Sequence, residues 1–264
     1  MIQFNIRRFA YLVRWSLSID KRWFVKNTLA WMVAMTLVFL FFTCIVNINN
    51  NIGGIQAYKA CVFMVIATSV ALFVLGATMM FNSMRGKHDD KRLMMLPASN
   101  LEKYVMRYCY WILLLPCFVG AFLMADLLQF LINVLLGHEG AMLIVQCIAD
   151  TIMQFHSSSA VPGTFDVSAI MILVWLHSLY AVGATFFRSH KYNWILTSIA
   201  LIALSIILGA LWPESVAPIR IDEHMPVSIL RILCMVMAVL TVFDFWLSYR
   251  IFCRHQVIGR FVNL

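Results

Sequence analysis

The stretch from Leu29 to Val46 reads LAWMVAMTLVFLFFTCIV and contains no charged residue. A helix of about 20 apolar residues crosses the hydrocarbon core of a bilayer, which is roughly 30 Å thick. We therefore predict that this stretch spans a membrane. The composition of the 264-residue chain supports the prediction, since 62% of its residues are hydrophobic and 12% are charged. Soluble domains carry about 25% charged residues, so the composition excludes a water-soluble domain, a disordered chain and a coiled coil.

Five further apolar stretches predict an all-α, polytopic membrane protein with six transmembrane helices in a single domain, residues 1–264. These stretches are Ala60–Phe81, Tyr104–Leu136, Val167–Phe187, Asn193–Trp212 and Val227–Phe252. The stretch that begins at Tyr104 is too long for one perpendicular crossing. The glycines of the sequence Gly137-His138-Glu139-Gly140 are expected to end it.

Two segments outside these stretches are predicted to be partly amphipathic. Residues 1–26 are predicted to form a basic amphipathic helix in the plane of the membrane interface. Basic and apolar residues recur there on different faces: Arg7, Arg14 and Lys21 on one, and Ile2, Ile6, Phe9, Val13 and Leu17 on another. Residues 138–166 are predicted to form an extracytoplasmic loop region, with an amphipathic segment at 141–155 and a loop at 156–166.

Basic residues are concentrated on one side of the predicted topology. With six spans, 17 of the 20 Lys and Arg residues lie in the N-terminal segment, the loop at 82–107, the link at 188–191 and the C-terminal end. Cytoplasmic loops of membrane proteins are enriched in Lys and Arg. We therefore predict that both termini are cytoplasmic and that the chain is an integral protein of the bacterial cytoplasmic (inner) membrane. This sorting also explains the net charge of +8 without a nucleic-acid partner.

The chain contains none of the sequence motifs of common catalytic or nucleotide-binding sites. Its Gly-Lys pair, Gly86-Lys87, has Phe81 where a phosphate-binding loop needs its first glycine. The patterns HExxH and GxSxG do not occur. The seven cysteines and seven histidines are scattered without metal-ligand spacing. We therefore predict no catalytic residue, no metal site and no cofactor, and we expect that the chain is not an enzyme.

Ionisable residues within predicted spans are costly and are therefore functional candidates. The candidates are Asp126, His177, Arg231 and Asp244. Asp126 is expected near the outer interface, and His177 is expected to be a hydrogen-bonded packing residue. Asp244 lies shortly before Arg250 in the sixth span, so we expect either a local ion pair between them or exposure of Asp244 at the interface.

The loop between the second and third predicted spans carries the most informative pattern. Residues 82–103 read NSMRGKHDDKRLMMLPASNLEK. Asp89–Met95 is charged on one side and apolar on the other, which predicts a helix of about two turns, and Pro97 prevents it from continuing. The next helix is expected to start with a cap and a charged first turn; the candidates are Ser99 or Asn100, and Glu102 or Lys103. A compact element of this size indicates a partner that docks on it.

The segment Leu96–Lys103, LPASNLEK, resembles the loop signature of type-2 ABC transporter permeases. In that family a basic, charged loop is followed by Leu-Pro-x-Ser and then by Glu-Lys or a similar pair at the start of the third helix. The segment Gly183–Arg188, the six spans, the cytoplasmic termini and the amphipathic N-terminal helix are similar as well. The long region 138–166 departs from the family pattern, and no nucleotide-binding domain is fused within the sequence.

The resemblance implies a permease subunit that pairs with a second permease subunit, as a homodimer or heterodimer, and is driven by a separate ABC ATP-binding subunit. Residues 1–26 would be the connecting helix, and Asp89–Leu96 the coupling helix in a cleft of the ATPase. The residues that the resemblance assigns to docking are Arg85, Lys87, Asp89, Asp90, Lys91, Arg92, Leu93, Leu96, Pro97, Ser99, Glu102 and Lys103. Substrate would move outward along the dimer interface by alternating access. The expected partners are thus the ATPase, the second permease subunit and membrane lipids.

Other classes of function stay open at this point. A secondary transporter driven by an ion gradient would need buried carboxylates that titrate, and Asp126 and Asp244 are the candidates. A membrane assembly factor that transports nothing would use the 82–103 loop to bind a protein without ATP chemistry. An intramembrane enzyme would need Asp, His or Ser clustered on facing helices, and the scattered residues argue against it.

Overall fold

A computed structural model describes residues 4–46, 54–81, 93, 95–138, 141–158, 164–187, 192–211 and 227–254. Every regular element within these ranges is helical, which confirms the predicted all-α class. The α-helices are, in chain order, α1, Ile6–Leu40; α2, Gly54–Gly76; α3, Asn100–Leu135; α4, Ile144–Ser158; α5, Thr164–Phe186; α6, Asn193–Leu211; and α7, Val227–Cys253. A π-helical segment, Phe41–Val46, continues α1, and a 3-10 segment, Ala77–Phe81, continues α2.

Five helical stretches of the described chain are long and apolar enough to cross a membrane. They are Ile6–Cys44, Ile55–Phe81, Asn100–Leu135, Val167–Phe186 and Leu230–Cys253. The chain therefore has the character of a polytopic integral membrane protein. The helix α6 is also apolar, but its stretch from Asn193 to Ile207 is shorter than a full span. Five of the six predicted spans thus match long apolar helices, and the remaining one matches a shorter helix.

The first helix runs without a break through the point where an interfacial helix was expected to give way to a span. Nothing interrupts α1 between residues 26 and 29. The sequence contains no glycine or proline before Gly53, so a change from basic to apolar composition is not accompanied by any helix breaker. The side chain of Asn5 caps the start, since its Oδ1 accepts the backbone N–H of Arg7 at 2.9 Å.

The third helix starts before the predicted Tyr104 and ends where glycine was expected to end it. It spans 36 residues, Asn100–Leu135, and includes Pro116. Gly137 has a φ of 72°, a left-handed conformation that glycine adopts without steric cost. The N–H of Gly137 bonds to the carbonyl of Val134, and the N–H of His138 bonds to that of Asn133, both at 3.1 Å. This pair of hydrogen bonds is the Schellman arrangement that closes a helix.

The region after α3 contains more helix than the sequence indicated. The predicted amphipathic segment 141–155 is helical from Ile144, as α4. The predicted loop 156–166 is wrong in part, because residues 156–158 belong to α4 and residues 164–166 belong to α5. Serine and histidine do not terminate a helix by themselves, and the strong breakers of this stretch are confined to Pro162 and Gly163.

The chain divides into two compact units, a finer division than the single domain expected from the sequence. The first unit comprises Met1–Phe9, Leu72–Cys109 and Val161–Leu264. The second unit comprises Ala10–Ala71 and Tyr110–Ala160. Each unit joins segments that are distant in sequence, so each depends on long-range contacts.

In the first unit, the helices α5 and α7 pack side by side and run in the same direction. Ser178 of α5 donates a hydrogen bond to Oδ2 of Asp244 in α7 at 2.9 Å. Two turns later in α5, Thr185 donates to Ser248 of α7 at 3.4 Å. The contact later in α5 thus pairs with the contact later in α7, so the two helices are parallel.

The helix α6 runs antiparallel to α5 within the same unit. The hydroxyls of Tyr180 in α5 and Ser198 in α6 lie 2.8 Å apart. One turn further along α5, Gly183 approaches Thr197 so closely that a Cβ at this position would collide with the threonine side chain. Gly183 permits this helix crossing because glycine has no Cβ.

The core of the second unit is apolar and joins its four helices. It consists of Phe39 of α1; Tyr58, Cys61, Val62 and Val65 of α2; Phe122 and Ala125 of α3; and Ile144 of α4. The rings of Phe39 and Phe122 meet edge to face with centroids 6.2 Å apart. A second edge-to-face pair, Trp31 and Phe118, has centroids 5.8 Å apart. These aromatic contacts pack α1 and α3 side by side.

Candidate functional site

The predicted docking loop lies only partly within the described residues. Six of its docking residues are described: Leu93, Leu96, Pro97, Ser99, Glu102 and Lys103. The other six lie outside the described residues: Arg85, Lys87, Asp89, Asp90, Lys91 and Arg92. The described part of the site consists of the C-terminal half of the loop and of the segments that contact it in the first unit.

The chain forms a tight turn as it leaves the loop. The backbone N–H of Leu96 bonds to the carbonyl of Leu93 at 3.3 Å, and that of Ala98 bonds to the carbonyl of Leu96 at 2.8 Å. Leu93 is fully buried, whereas Met95 is 84% exposed and Pro97 is also exposed. Leu93 and Met95 are helical, and the other residues of the short helix predicted over Asp89–Met95 lie outside the described residues. The buried leucine anchors this turn, and its neighbours face outward.

Ser99 and Glu102 form a capping box at the start of α3. The backbone N–H of Glu102 donates to Oγ of Ser99 at 3.2 Å, and the backbone N–H of Ser99 donates to Oε2 of Glu102 at 2.8 Å. Two backbone donors that the helix leaves without partners are thereby satisfied reciprocally. This confirms the predicted cap and selects Ser99 over Asn100, and Glu102 over Lys103.

The same carboxylate also holds the start of α1. The backbone N–H of Asn5, which caps α1, donates to Oε1 of Glu102 at 2.7 Å. The Arg8 guanidinium reaches both oxygens: Nε lies 2.9 Å from Oε2, and Nη2 lies 2.6 Å from Oε1. We call this cluster of Asn5, Arg8, Ser99 and Glu102 the Glu102 junction. It fastens the N-terminal segment to the exit of the docking loop.

The electrostatics of the Glu102 junction are favourable for a buried anion. The side chain of Glu102 is fully buried, and that of Arg8 is 34% exposed. A buried carboxylate is tolerated when it is paired with a cation and hydrogen-bonded through its remaining lone pairs. Two helices, α1 and α3, begin at this carboxylate, and the N-terminal ends of helices favour negative charge. Its four partner groups therefore make the junction a rigid connection.

Burial separates the predicted docking residues into two groups. Leu93, Glu102 and Lys103 are buried, so their side chains hold the loop in place. Pro97 is exposed, and Leu96 and Ser99 are partly exposed, so these three are accessible to a partner. The sequence pattern identified both groups together because it gives residue types and spacing but not the direction of each side chain.

Two members of the junction were not found from the sequence. The sequence pattern places Arg8 among the basic residues of the N-terminal segment without indicating a partner, and it does not single out Asn5. Asn5 lies directly before the helical pattern, and asparagine is a preferred N-cap, so its capping role had a local signal. Its link to Glu102 joins residues 97 positions apart, and no local pattern announces such a contact.

Two intramembrane candidates of the first unit, His177 and Asp244, are engaged in hydrogen bonds between helices. Nδ1 of His177 lies 2.7 Å from the carbonyl of Phe73, and Nε2 lies 2.7 Å from the hydroxyl of Tyr108. A carbonyl only accepts, so Nδ1 carries the proton, and Nε2 of the neutral ring accepts from the tyrosine. His177 is thus a hydrogen-bonded packing residue, as predicted.

Asp244 does not form the expected ion pair and is not exposed. It is buried and accepts a hydrogen bond from Ser178. The guanidinium of Arg250 instead lies over the ring of Trp246, 5.1 Å from its centroid. Both pairings follow from the direction of the side chains, because Asp244 faces α5 while Trp246 and Arg250 face outward. Arg231, the remaining candidate on α7, is exposed.

Asp126 holds the start of α4 in the second unit. Its two oxygens accept the backbone N–H groups of Ile144 at 2.8 Å and of Val145 at 3.1 Å. On the same face of α3, Gln129 donates to the carbonyl of Met142 at 3.1 Å. The sequence predicted Asp126 but missed Gln129, although the spacing of three residues places both on one helix face.

The six described docking residues therefore lie in the turn after Leu93 and at the start of α3, whereas Asp126, His177 and Asp244 lie in separate contacts. Within the described ranges, no group of three or more His, Cys, Asp or Glu side chains is arranged to hold a metal ion. No known protein family matches the chain, and neither a curated protein nor a solved structure shows significant similarity to it.

Proposed function

We propose that the chain is the membrane-spanning permease subunit of an ATP-driven ABC transporter, acting as an exporter in the bacterial cytoplasmic membrane. The observation that carries the proposal is the Glu102 junction. The C-terminal end of the predicted docking loop, at the start of α3, is bonded to the N-terminal helix through one buried carboxylate. A capping box can start any helix, but a loop that merely connected two spans would not need the contacts with Asn5 and Arg8.

The directions of the helices in the first unit support six membrane crossings. Both α5 and α7 are long enough to span, and they run parallel. In the proposed topology the chain crosses back between them through α6, which is antiparallel to α5. Its 19 residues extend about 28 Å at 1.5 Å per residue, close to the roughly 30 Å of the hydrocarbon core. This length supports α6 as a crossing.

Cytoplasmic placement of both ends is supported by contacts within the first unit. Phe252, near the end of α7, packs on Phe81 after α2 with ring centroids 6.1 Å apart, and on Tyr104 of α3 with centroids 5.6 Å apart. The Glu102 junction joins Asn5 to the same end of α3. The N-terminal segment, the docking loop and the end of α7 thus share one side. The basic residues of these segments support a cytoplasmic location for that side.

The proposed mechanism is a rigid-body coupling between a partner and the spans. Two permease subunits pair, and an ATP-binding subunit docks on the loop of each. Closure of the ATPases moves the loop, and the buried Leu93 together with the Glu102 junction passes the movement to the starts of α1 and α3. The spans then alternate between inward-open and outward-open arrangements. ATP binding and hydrolysis take place on the partner polypeptide.

The proposal is tested by purifying the tagged chain in mild detergent with the ABC ATP-binding subunit co-expressed from its operon. The wild-type chain is expected to retain the ATPase. Reversing the charges with Asp89→Lys, Lys91→Glu and Arg92→Glu is expected to reduce retention at least about tenfold, because complementary charges fix such interfaces. Lys59→Glu, on the opposite side in the proposed topology, is the matched control. Absence of any retained ATPase, together with unchanged assembly of the charge-reversed chain, contradicts the proposal.

The gradient-driven alternative is less well supported by the side-chain contacts. Both oxygens of Asp126 bind backbone N–H groups at the start of α4, and Asp244 is bonded between α5 and α7. Each carboxylate thus has a packing role that its movement through a transport cycle would disrupt. Proton-driven uptake into vesicles without ATP is the result that would favour this alternative.

A further inference from the structure

The helix α4 presents three different faces along its described side chains. Toward the core of the second unit lie the buried Ile144 and the half-buried Cys147 and Ile148. An exposed polar face carries Gln146, Asp150 and Gln154, spaced by four residues. An exposed apolar face carries Val145, Ala149, Ile152 and Met153, of which Ile152 is 51% and Met153 66% exposed. A surface helix in water has an apolar face toward the core and a polar face toward the solvent. The exposed apolar face of α4 is additional to these two.

Hydrogen bonds fix the level of this helix relative to α3. The first turn of α4 is bonded to Asp126 through the N–H groups of Ile144 and Val145. Asp126 precedes Leu135, the last residue of α3, by nine positions, which corresponds to about 14 Å along the helix. Tyr58 adds a further contact, since its hydroxyl accepts the N–H of Met142 at 3.3 Å. The chain thus turns at Gly137 and returns alongside α3 before α4 begins.

That level lies within the apolar part of a membrane-spanning helix. On α3, Leu127, Leu131 and Val134 are exposed, and they lie between Asp126 and the end of the helix. Exposed leucine and valine on a span face lipid, because lipid is the solvent at that depth. The exposed apolar face of α4 starts at the same level, so lipid is also its available partner. The sequence 144–158 contains no Lys or Arg, so attraction to anionic headgroups does not select that lipid.

We infer that α4 is an interfacial helix embedded in the outer leaflet, with Val145, Ala149, Ile152 and Met153 among the acyl chains and Gln146, Asp150 and Gln154 toward water. Helices of this kind lie about 5–10 Å deep at the boundary of headgroups and acyl chains. Asp126 is the positioning residue that holds the start of α4 at this depth. The assignment of α4 to the outer leaflet rests on the topology of the proposed function, whereas its contact with lipid does not depend on it.

The inference is tested with single cysteines introduced by Ile152→Cys, Met153→Cys, Asp150→Cys and Gln154→Cys in a chain whose seven native cysteines are replaced. Each full-length variant is labelled with an environment-sensitive fluorophore and reconstituted in phosphatidylcholine vesicles. Lipids with a spin label in the acyl chain are expected to quench the label at 152 at least about threefold more than the label at 150, because only the apolar face is immersed. Aqueous iodide is expected to give the opposite order. All four positions are exposed in the structure, so labelling itself does not bias the comparison.

Two results overturn the inference. Equal iodide quenching at 150 and 152 would place the whole helix in water, and protection of 152 from both quenchers would mean that protein covers this face. A photoreactive benzoylphenylalanine at 152 or 150, in the chain with its native cysteines, gives a second readout. Crosslinking to phospholipid is expected at 152 only, and lipid adducts at neither position would contradict the inference.

The outcome is distinguishable from failure of the proposed function. An impermeant maleimide applied to right-side-out vesicles reports which side the label at 154 faces. If the quenchers distinguish 152 from 150 but the maleimide labels 154 only from the inside, α4 is an interfacial helix and the proposed topology is contradicted. The role of Asp126 is tested by Asp126→Asn, which replaces one acceptor with an amide donor facing backbone N–H groups. It is expected to reduce the contrast between 152 and 150 at least about twofold, since α4 then loses its anchor. Gln146→Ala, at an exposed position of the polar face that carries no probe, is its control.

Discussion

The Glu102 junction and the Asp126 contact use buried carboxylates in similar ways but with different compensation of charge. Glu102, in the first unit, accepts backbone N–H groups at the starts of two helices and is paired with Arg8. Asp126, in the second unit, accepts two N–H groups at the start of one helix and has no arginine or lysine in an ion pair among the described residues. An ion-paired carboxylate that joins two helix starts makes a stiffer link than a carboxylate held by neutral donors. The proposed function uses the stiffer link where force is transmitted.

The largest effect is expected from Glu102→Ala. It removes the acceptor shared by Asn5, Arg8 and Ser99, and the free energy of unfolding is expected to fall by about 3 kcal/mol. Unfolding in a detergent titration, followed by tryptophan fluorescence, measures the change. The control is Asp150→Ala at an exposed position, for which a change of less than about 0.5 kcal/mol is expected. Equal free energies of unfolding for Glu102→Ala and Asp150→Ala would contradict a stabilising role of the junction.

A smaller and more local effect is expected from Asp126→Ala. Two backbone donors at the start of α4 lose their acceptor, and the expected loss is about 2 kcal/mol. Hydrogen exchange followed by mass spectrometry is expected to accelerate in residues 142–150 in this variant, and in residues 5–12 and 99–106 in Glu102→Ala. The comparison between the two carboxylates fails if both variants accelerate exchange in the same segments.

The contribution of the ion pair is isolated by Arg8→Ala. Glu102 keeps its two backbone donors in this variant, so the expected loss of stability is less than half of that in Glu102→Ala. Arg7→Ala is the matched control, because Arg7 is exposed on the same turn of α1. The double variant with Glu102→Ala is expected to be no less stable than Glu102→Ala alone. An additive double variant would show that Arg8 and Glu102 act independently.

The smallest effect is expected from Ser99→Ala. It removes the hydroxyl half of the capping box while the carboxylate half persists, which is expected to cost about 1 kcal/mol. Ser205→Ala is the control, since the Ser205 hydroxyl is exposed and donates within its own helix, to the carbonyl of Ile202. The same detergent titration compares the two. A loss of stability as large as that in Glu102→Ala would show that the Ser99 hydroxyl, and not the carboxylate, provides most of the stability of the junction.

The sequence predicted those parts of the molecule that depend on local patterns. Apolar length predicted the spanning helices, the Ser99–Glu102 spacing predicted the cap of α3, and Gly137 predicted its end. Each of these depends on residues within one or two turns of each other, so periodicity and capping preferences suffice to find them.

The remaining parts depend on contacts between distant residues or on the absence of a break. The bond from Asn5 to Glu102 joins segments that only the folded chain brings together. The contact of Asp126 with Ile144 requires the chain to turn back along α3. The continuous α1 was divided in the prediction because charge changes along it, although its sequence offers nothing that breaks a helix.

The most direct test of the proposed function is the composition of the complex that the full-length chain forms in native membranes. Extraction into nanodiscs followed by native mass spectrometry measures which subunits accompany the 30.3 kDa chain. The proposed function predicts two permease subunits together with two ABC ATP-binding subunits, with the ATPases lost when Asp89, Lys91 and Arg92 are reversed in charge. A chain that appears without any ATP-binding subunit, under conditions that preserve its own pairing, would contradict it.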